Sequence, residues 1–247
     1  GMTVSSSGGI SLDSNDADNT KGVSGLASVS FASDGFTFTI GDVDIVGSGD
    51  GHVGNVASDA VDNGGYTATG IATGVSDTEG YGFVASTSVG SASVSLAYLL
   101  DVKNEGVNNA ESASNEYGTG LSISMPMGPM TLGLGYANID GTADETTNGV
   151  TLAYAIGGGT LTLGYESTDE ATDSTTMAAA YSGSLDADTS YSIGYTDGEQ
   201  GTAASTQLEA VVSRSLGGGV SVYAEIQENG GTGTSGTNMS FGTTVAF

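Results

Sequence analysis

The chain lacks several residues that common protein sites depend on. Its 247 residues include no cysteine, no tryptophan, two prolines, one histidine and only three lysines or arginines. The lack of cysteine excludes disulfides, thiolate metal sites and cysteine catalysis. Three basic residues stand against 29 acidic ones, a net charge of −26, and phosphate binding needs clustered Lys and Arg. The sequence therefore excludes a nucleic acid partner, and with no apolar run of helix-spanning length it predicts no transmembrane helix.

What the chain does have is glycine and a strict two-residue alternation. Its 42 glycines follow no Gly-X-Y period, which excludes collagen. In segment 130–136 (MTLGLGY), large apolar residues occupy every second position and small residues fill the others. Such alternation predicts strands with one apolar and one small, polar face, and argues against disorder.

The alternation recurs about fourteen times and predicts an all-β protein. The predicted strands are 2–12, 22–32, 35–43, 80–89, 92–101, 117–126, 130–139, 149–156, 160–168, 174–185, 189–197, 205–216, 220–229 and 237–247. Short turns alternate with longer acidic or Gly/Asn-rich loops at 13–21, 44–79, 102–116, 140–148, 169–173, 198–204 and 230–236. Short connections at one rim and long ones at the other favour a transmembrane antiparallel β-barrel over a soluble sandwich or propeller.

Aromatic residues on the apolar parity are predicted to lie at both rims. Four lie close to the long-loop ends of their strands and four nearer the short turns: Tyr98, Tyr136, Tyr165 and Tyr195, then Tyr154, Tyr181, Phe31 and Phe247. Two aromatic girdles with aliphatic residues between them are expected at membrane interfaces. The alternative is a set of core tyrosines in a sandwich, but the opposite parity is too small and polar for a second dry core and suits a wet lumen.

Several segments resemble known outer-membrane proteins. The last strand, TNMSFGTTVAF, resembles the closing strand of bacterial outer-membrane barrels, in which the terminal aromatic is part of the insertion signal; Phe241, Val245 and Phe247 would supply it here. Segments 35–44 (GFTFTIGDVD), 93–98 (SVSLAY), 130–136 and 157–165 (GGGTLTLGY) resemble the general porins of alphaproteobacteria.

The porin resemblance implies a function and an assembly. It implies one barrel domain over 1–247 in the bacterial outer membrane, a passive channel for small hydrophilic solutes and ions. It also implies a homotrimer in lipid, no enzymatic activity and no required cofactor. Porins of this kind have about sixteen strands, so two N-terminal strands are expected to be absent from this sequence; the alternative is a natural fourteen-stranded barrel. Segment 44–79 would fold inward as the constriction loop.

Acidic residues are the candidate pore residues. Asp50, Asp59 and Asp62, with Asp42 and Asp44 at the root of the loop, would line the constriction, where carboxylate rings favour cations. The alternative is that they are solvated loop charges. Glu209 and Glu225 fall on the polar parity and would line the lumen wall.

The sequence departs from the porin pattern in its basic residues. The family sets a basic cluster against the acidic loop, but this chain has only Lys21 and Lys103, in predicted loops, and Arg214, on an apolar parity near a short turn. Arg214 is therefore predicted to snorkel at the membrane interface. The basic cluster is expected on the absent strands or not at all.

Two other functions remain open at this point. Asp13, Asn15, Asp16 and Asp18 offer hard oxygen ligands that suit calcium, although their spacing matches no EF-hand. An acidic extracellular calcium-binding surface protein or adhesin would be soluble without detergent and would need calcium to fold. An outer-membrane barrel enzyme would depend on His52, the only histidine, which lies in a glycine-rich segment without a nucleophile elbow.

Overall fold

The fold is a single antiparallel sheet in which each strand pairs with the next along the chain. The computed structural model describes residues 1–10, 23–45, 79–102, 117–141, 144–232 and 235–245. The strands are β1 (Thr3–Ile10), β2 (Val23–Ser33), β3 (Phe36–Asp44), β4 (Glu79–Val89), β5 (Ala92–Val102), β6 (Tyr117–Met127), β7 (Met130–Asp140), β8 (Glu145–Ile156), β9 (Gly159–Asp169), β10 (Ser174–Ser184), β11 (Thr189–Gln200), β12 (Ala203–Gly217), β13 (Val220–Gly231) and β14 (Gly236–Val245). Their order in the sheet is their order in the sequence. Within these residues, no helix has the length and apolarity needed to cross a membrane.

The sheet buries its small and polar side chains and exposes its large apolar ones, the reverse of a water-soluble protein. Along β7 the small side chains are buried, with Ala137 fully so, while Leu134 and Tyr136 are 38% and 39% exposed. A water-soluble protein buries its large apolar residues and exposes its polar ones. The exposed apolar row therefore faces lipid, as in a transmembrane barrel. We call the buried face inner and the exposed apolar face outer.

Most strands lie where the alternation predicts them, and the all-β prediction is confirmed. One predicted loop, 198–204, is wrong: β11 continues to Gln200, which pairs with Ala203 at the start of β12. Only a two-residue turn remains, in which Gly201 has a φ of +58°, a conformation that glycine adopts without steric cost. Strand β8 also begins at Glu145, four residues earlier than predicted. At the long-loop rim, the connection between β11 and β12 is therefore a short turn and not a long loop.

Hydroxyl side chains pair across neighbouring strands on the inner face. The Oγ–Oγ or Oγ–Oγ1 distances are 2.7 Å for Ser7 and Ser28, 2.8 Å for Ser30 and Thr39, and 2.9 Å for Ser86 and Ser95. Buried Thr147 and Thr168 pair at 3.0 Å. These cross-strand pairs satisfy polar groups within the wall and stabilise the sheet.

Tyrosines on the outer face occupy the two rims as the sequence predicts. Tyr136 and Tyr195 lie toward the long-loop ends of β7 and β11, at 39% and 43% exposure. Tyr154 and Tyr181 lie toward the short turns, where the Tyr181 hydroxyl donates to the Ile156 carbonyl at 3.2 Å. Met130, the β7 partner of Tyr154, is six residues from Tyr136, roughly 20 Å along a strand. The outer face therefore has a short apolar band between two aromatic rows.

Candidate functional site

An apolar patch lies on the inner face of β5, β6 and β7, toward the long-loop rim. It consists of Leu99, Gly118, Gly120, Ala137 and Ile139, which we call the docking wall. Cross-strand pairing brings Leu99 opposite Gly118, and Gly118 opposite Ile139. Leu99 and Ala137 have no exposed surface. This apolar patch departs from an inner face that elsewhere carries many hydroxyl, amide and carboxylate side chains.

The residue that covers the docking wall is Ile45, just after β3. Ile45 has no exposed surface and belongs to one buried apolar cluster with Val43, Leu99, Ala137 and Ile139. Since β3 pairs with β2 and β4, Ile45 contacts a wall that belongs to strands further round the sheet. The chain therefore turns inward as it leaves β3.

Two glycines let the Ile45 backbone approach the wall. A Cβ at Gly120 would overlap the carbonyl oxygen of Ile45 and come within 2.7 Å of its carbonyl carbon. A Cβ at Gly118 would lie 2.8 Å from Ile45 Cδ1 and 3.1 Å from Leu99 Cδ1. Ordinary carbon contacts are longer than this. The part of the docking wall that contacts Ile45 thus requires glycine at 120 and a very small residue at 118.

A different surface lies on the inner face of β12 and β13. It consists of Glu209, Glu225, Gln227 and Asn229, which we call the polar wall; all four are less than 10% exposed. Glu209 is directly opposite Gln227. Ser240 Oγ donates to Glu225 Oε2 at 3.4 Å, and Asn229 Nδ2 donates to Gln227 Oε1 at 3.4 Å. Glu209 and Glu225 therefore lie on the inner face, with hydrogen-bonding neighbours.

The structure places the other predicted residues less centrally. Asp42 and Asp44 alternate with Val43 along β3, and Asp42 pairs with Tyr81, which is 52% exposed. The two aspartates thus project to the face opposite Val43, and their part in a constriction stays a prediction. On β14, Phe241 and Val245 are 77% and 48% exposed on the outer face.

Several predicted residues lie outside the described ranges. These are Asp50, Asp59 and Asp62 of the predicted constriction, Asp13, Asn15, Asp16 and Asp18 of the calcium hypothesis, and His52, Lys21, Lys103 and Phe247. Within the described ranges, no group of three or more His, Asp or Glu residues could hold a metal ion.

Arg214 is the one lysine or arginine within the described ranges, and it lies on the outer face. Arg214 Nη1 donates to Thr189 Oγ1 at 2.6 Å and to Asp186 Oδ2 at 3.3 Å, in a half-exposed ion pair by a short turn. The backbone amide of Asp188, hydrogen bonds from Thr189 and the Arg214 charge hold the pKa of Asp186 below its usual value. The inner face of the described strands consequently has carboxylates and no basic side chain.

The sequence matches a family model described as Gram-negative porin over residues 1–234. The chain belongs to the Gram-negative porin family. A porin of this family is a channel of the bacterial outer membrane, which accounts for the outward apolar face, the two tyrosine rims and the polar inner face. The strand prediction, the barrel and the outer-membrane location are therefore confirmed.

Solved structures of outer membrane proteins, porins among them, share this fold at low sequence identity. A loop-deletion mutant of OmpT, an outer membrane protein of Vibrio cholerae, matches with a TM-score of 0.64 and 17% identity over 89% of this chain and 79% of that chain. An anion-selective porin from Comamonas acidovorans matches at 0.62 and 15%, over 89% and 77%. OmpT in its trimer form matches at 0.58 and 15%, over 90% and 80%. No curated protein matches the sequence.

The docking wall is the feature that the alternation did not predict. Its signal is a change of residue type on the inner parity: Gly118 and Gly120 precede Ser122 and Ser124 along β6. A strand glycine often marks close approach by another backbone. That signal becomes specific only once Ile45 is known to lie above it.

Proposed function

We propose that this porin is a general diffusion channel that passes small hydrophilic solutes and ions passively and favours cations. In this proposal, segment 44–79 folds into the lumen and narrows it. The observation that carries it is Ile45, fully buried on the docking wall at the point where that segment begins. A segment that enters the barrel at its own root reduces the free cross-section.

The cation preference rests on the charges of the inner face. Glu166, Glu209 and Glu225 lie there, and the only described arginine points outward. Carboxylates lining a narrow passage attract cations and repel anions. The porin of similar fold from Comamonas acidovorans is anion-selective, so the fold by itself does not fix the sign. The lining charges must do so.

The proposed assembly is a homotrimer embedded in lipid. OmpT, which shares the fold, has a trimer form, and the outer face here is apolar along much of its height. The sixteen-strand count, the alphaproteobacterial subgroup, the insertion signal and the calcium site stay predictions.

Liposome swelling tests the channel function. Proteoliposomes in sugar solutions of increasing size should swell at rates that fall steeply with solute size, whatever the sugar's stereochemistry. Equal impermeability to all sugars, with inserted and folded protein, would contradict a general diffusion channel. Planar-bilayer recording tests the proposed assembly, since the conductance of a trimer should rise or fall in groups of three equal steps.

A further inference from the structure

The outer face of β11 and β12 carries opposite charges where these strands reach the short-turn rim. Arg214 Nη1 donates to Thr189 Oγ1 at 2.6 Å and to Asp186 Oδ2 at 3.3 Å. Both side chains of the Asp186–Arg214 ion pair stay half exposed, at 53% and 52%. Charged groups exposed at a membrane rim are able to meet the charged groups of lipid headgroups.

The positive and negative charges lie at different depths. Arg214 pairs with Thr189, the first residue of β11, and lies inside the end of β12. Asp186 and Asp188 lie in the turn before β11. The Ser215 amide donates to the Asp188 carbonyl at 2.8 Å, which places Asp188 level with the residue that follows Arg214. From the apolar band outward, the surface therefore presents a guanidinium first and carboxylates beyond it.

An apolar trough leads from this charged rim toward the middle of the outer face. Cross-strand pairing places Val212 opposite Ala224, and both are exposed. The β11 partner of Val212, Tyr191, turns its ring toward β10, where a Cβ added to Gly183 would lie 3.1 Å from the Tyr191 hydroxyl. On the other side, Phe241 lies opposite Ala224 and is 77% exposed. Small side chains between two aromatic ones form a shallow groove that suits an acyl chain.

We propose that this surface binds a phospholipid with a phosphoethanolamine headgroup, its phosphate on Arg214 and its ammonium on Asp186 and Asp188. We call these three residues the rim site. The short turns of an outer-membrane barrel lie on the periplasmic side, so the lipid belongs to the periplasmic leaflet. In this headgroup the phosphate is next to the glycerol and the ammonium is further out, the same order as the guanidinium and the carboxylates. The inference goes beyond the proposed channel function and requires only that the barrel lies in a membrane.

The donors and acceptors of the rim site match both ends of this headgroup. Within the described ranges, both hydrogen bonds that Arg214 donates start from Nη1. A guanidinium has five N–H donors, so Nε and Nη2 can donate to phosphate oxygens. A primary ammonium has three donors for the carboxylates, whereas the trimethylammonium of a choline headgroup has none.

The charge of the protein favours this zwitterionic headgroup over an anionic one. The whole chain carries a net charge of −26, and in the rim site two carboxylates stand against one guanidinium. A phosphatidylglycerol headgroup would bring its phosphate to Arg214 without a positive group for Asp186 and Asp188. The negative potential of the protein would also repel it.

Native mass spectrometry of the folded protein in mild detergent tests the choice of headgroup. Phosphatidylethanolamine, phosphatidylcholine and phosphatidylglycerol with identical acyl chains are added one at a time, and the bound lipids are counted at each concentration. We expect phosphatidylethanolamine to bind about fivefold more tightly than either of the others, the effect of one exposed charge contact. Equal binding of all three lipids, or tighter binding of phosphatidylglycerol, would overturn the proposal.

Variants of the rim site locate the lipid. Arg214→Gln should weaken all three lipids about fivefold, because each of them presents a phosphate. The double variant Asp186→Asn/Asp188→Asn should weaken only phosphatidylethanolamine. Glu228→Gln is the matched control and should change nothing, since Glu228 is an exposed carboxylate on the outer face of β13 near the opposite rim. Unchanged affinities in both rim-site variants would place the lipid elsewhere and overturn the assignment.

The same spectra report the oligomeric state, which separates a lipid from a second copy of the chain. If the wild type retains no lipid and Arg214→Gln converts oligomers to monomers, the surface is a contact between subunits and the lipid assignment fails. The lipid series on the wild-type protein requires no variant. It therefore decides the proposal even if Arg214→Gln does not fold.

Discussion

The docking wall and the polar wall lie on the same inner face yet differ in chemistry. The docking wall on β5–β7 is built of glycine, alanine, leucine and isoleucine, and Ile45 seals it. The polar wall on β12–β13 is built of two glutamates, a glutamine and an asparagine. The same two-residue alternation places both sets of side chains on the inner face. Alternation therefore decides which way a residue points but not what it contacts. One wall is suited to hold protein, and the other to meet ions and water.

We expect the largest effect from a charged side chain placed against the apolar docking wall, which removes the chemical difference between the two walls. An unpaired carboxylate in an apolar site costs roughly 3–5 kcal/mol, so we expect Ile45→Asp to release the segment from the docking wall. Limited proteolysis of the inserted protein should then cut within 44–79 much faster than in the wild type. Ile45→Val, which costs about 0.5–1.5 kcal/mol, is the control. Equal cleavage of the aspartate variant and the wild type would contradict a docked segment.

A charge reversal on the polar wall is expected to have the next largest effect. Glu225→Lys changes the local charge by two units and Glu225→Gln by one, and the Coulomb energy of a passing ion scales with that charge. The zero-current potential under a KCl gradient should therefore shift toward anions about twice as far in the lysine variant.

Glu228 provides the matched control for that series. It lies on β13 like Glu225, but its side chain is on the outer face and exposed. Glu228→Gln should leave the potential near the wild-type value. Equal shifts from Glu225→Gln and Glu228→Gln would mean that total charge, rather than the inner wall, sets the selectivity.

Salt concentration should weaken the preference without any mutation. The Debye length falls from about 30 Å at 0.01 M to about 3 Å at 1 M, so wall carboxylates influence a passing ion less in concentrated salt. We expect the permeability ratio of potassium to chloride to fall steadily over this range. A constant ratio would point to selectivity by direct ion contact rather than by the field of the wall.

The smallest expected effect lies outside both walls, at the Asp186–Arg214 pair. Because the pKa of Asp186 is lowered, its charged form stabilises the folded state above the unfolded pKa, and this contribution is lost as the pH falls through the lower, folded pKa. Asp186→Asn should slightly lower the unfolding temperature at neutral pH, and the difference from wild type should disappear at strongly acidic pH. Asp188→Asn keeps the donating amide and should change little. A difference that grows on acidification would refute the ion-pair account.

Much of the fold could be predicted because alternation is a local property. Met130, Leu132, Leu134 and Tyr136 face outward as their spacing requires, and Glu209 and Glu225 face inward. The predicted loop at 198–204 is wrong because acidic residues and glycines make a strand less favourable but do not prevent one. The pairing of Gln200 with Ala203 depends on the conformation of Gly201, which composition does not reveal.

The contact of Ile45 with the docking wall could not be predicted because it joins distant parts of the chain. Ile45 and Gly120 are 75 positions apart, and neither is unusual in its own segment. Asp42 and Asp44 fall on the parity of β3 opposite Val43, and a place for them in the constriction stays a prediction.

The zero-current potential of the wild-type porin in a planar bilayer, under a KCl gradient at low ionic strength, tests the central claim most directly. The account predicts a clear cation preference, because the described inner face carries buried carboxylates and the one lysine or arginine of the described residues, Arg214, lies on the outer face. An anion preference from the same folded, membrane-inserted protein would contradict it.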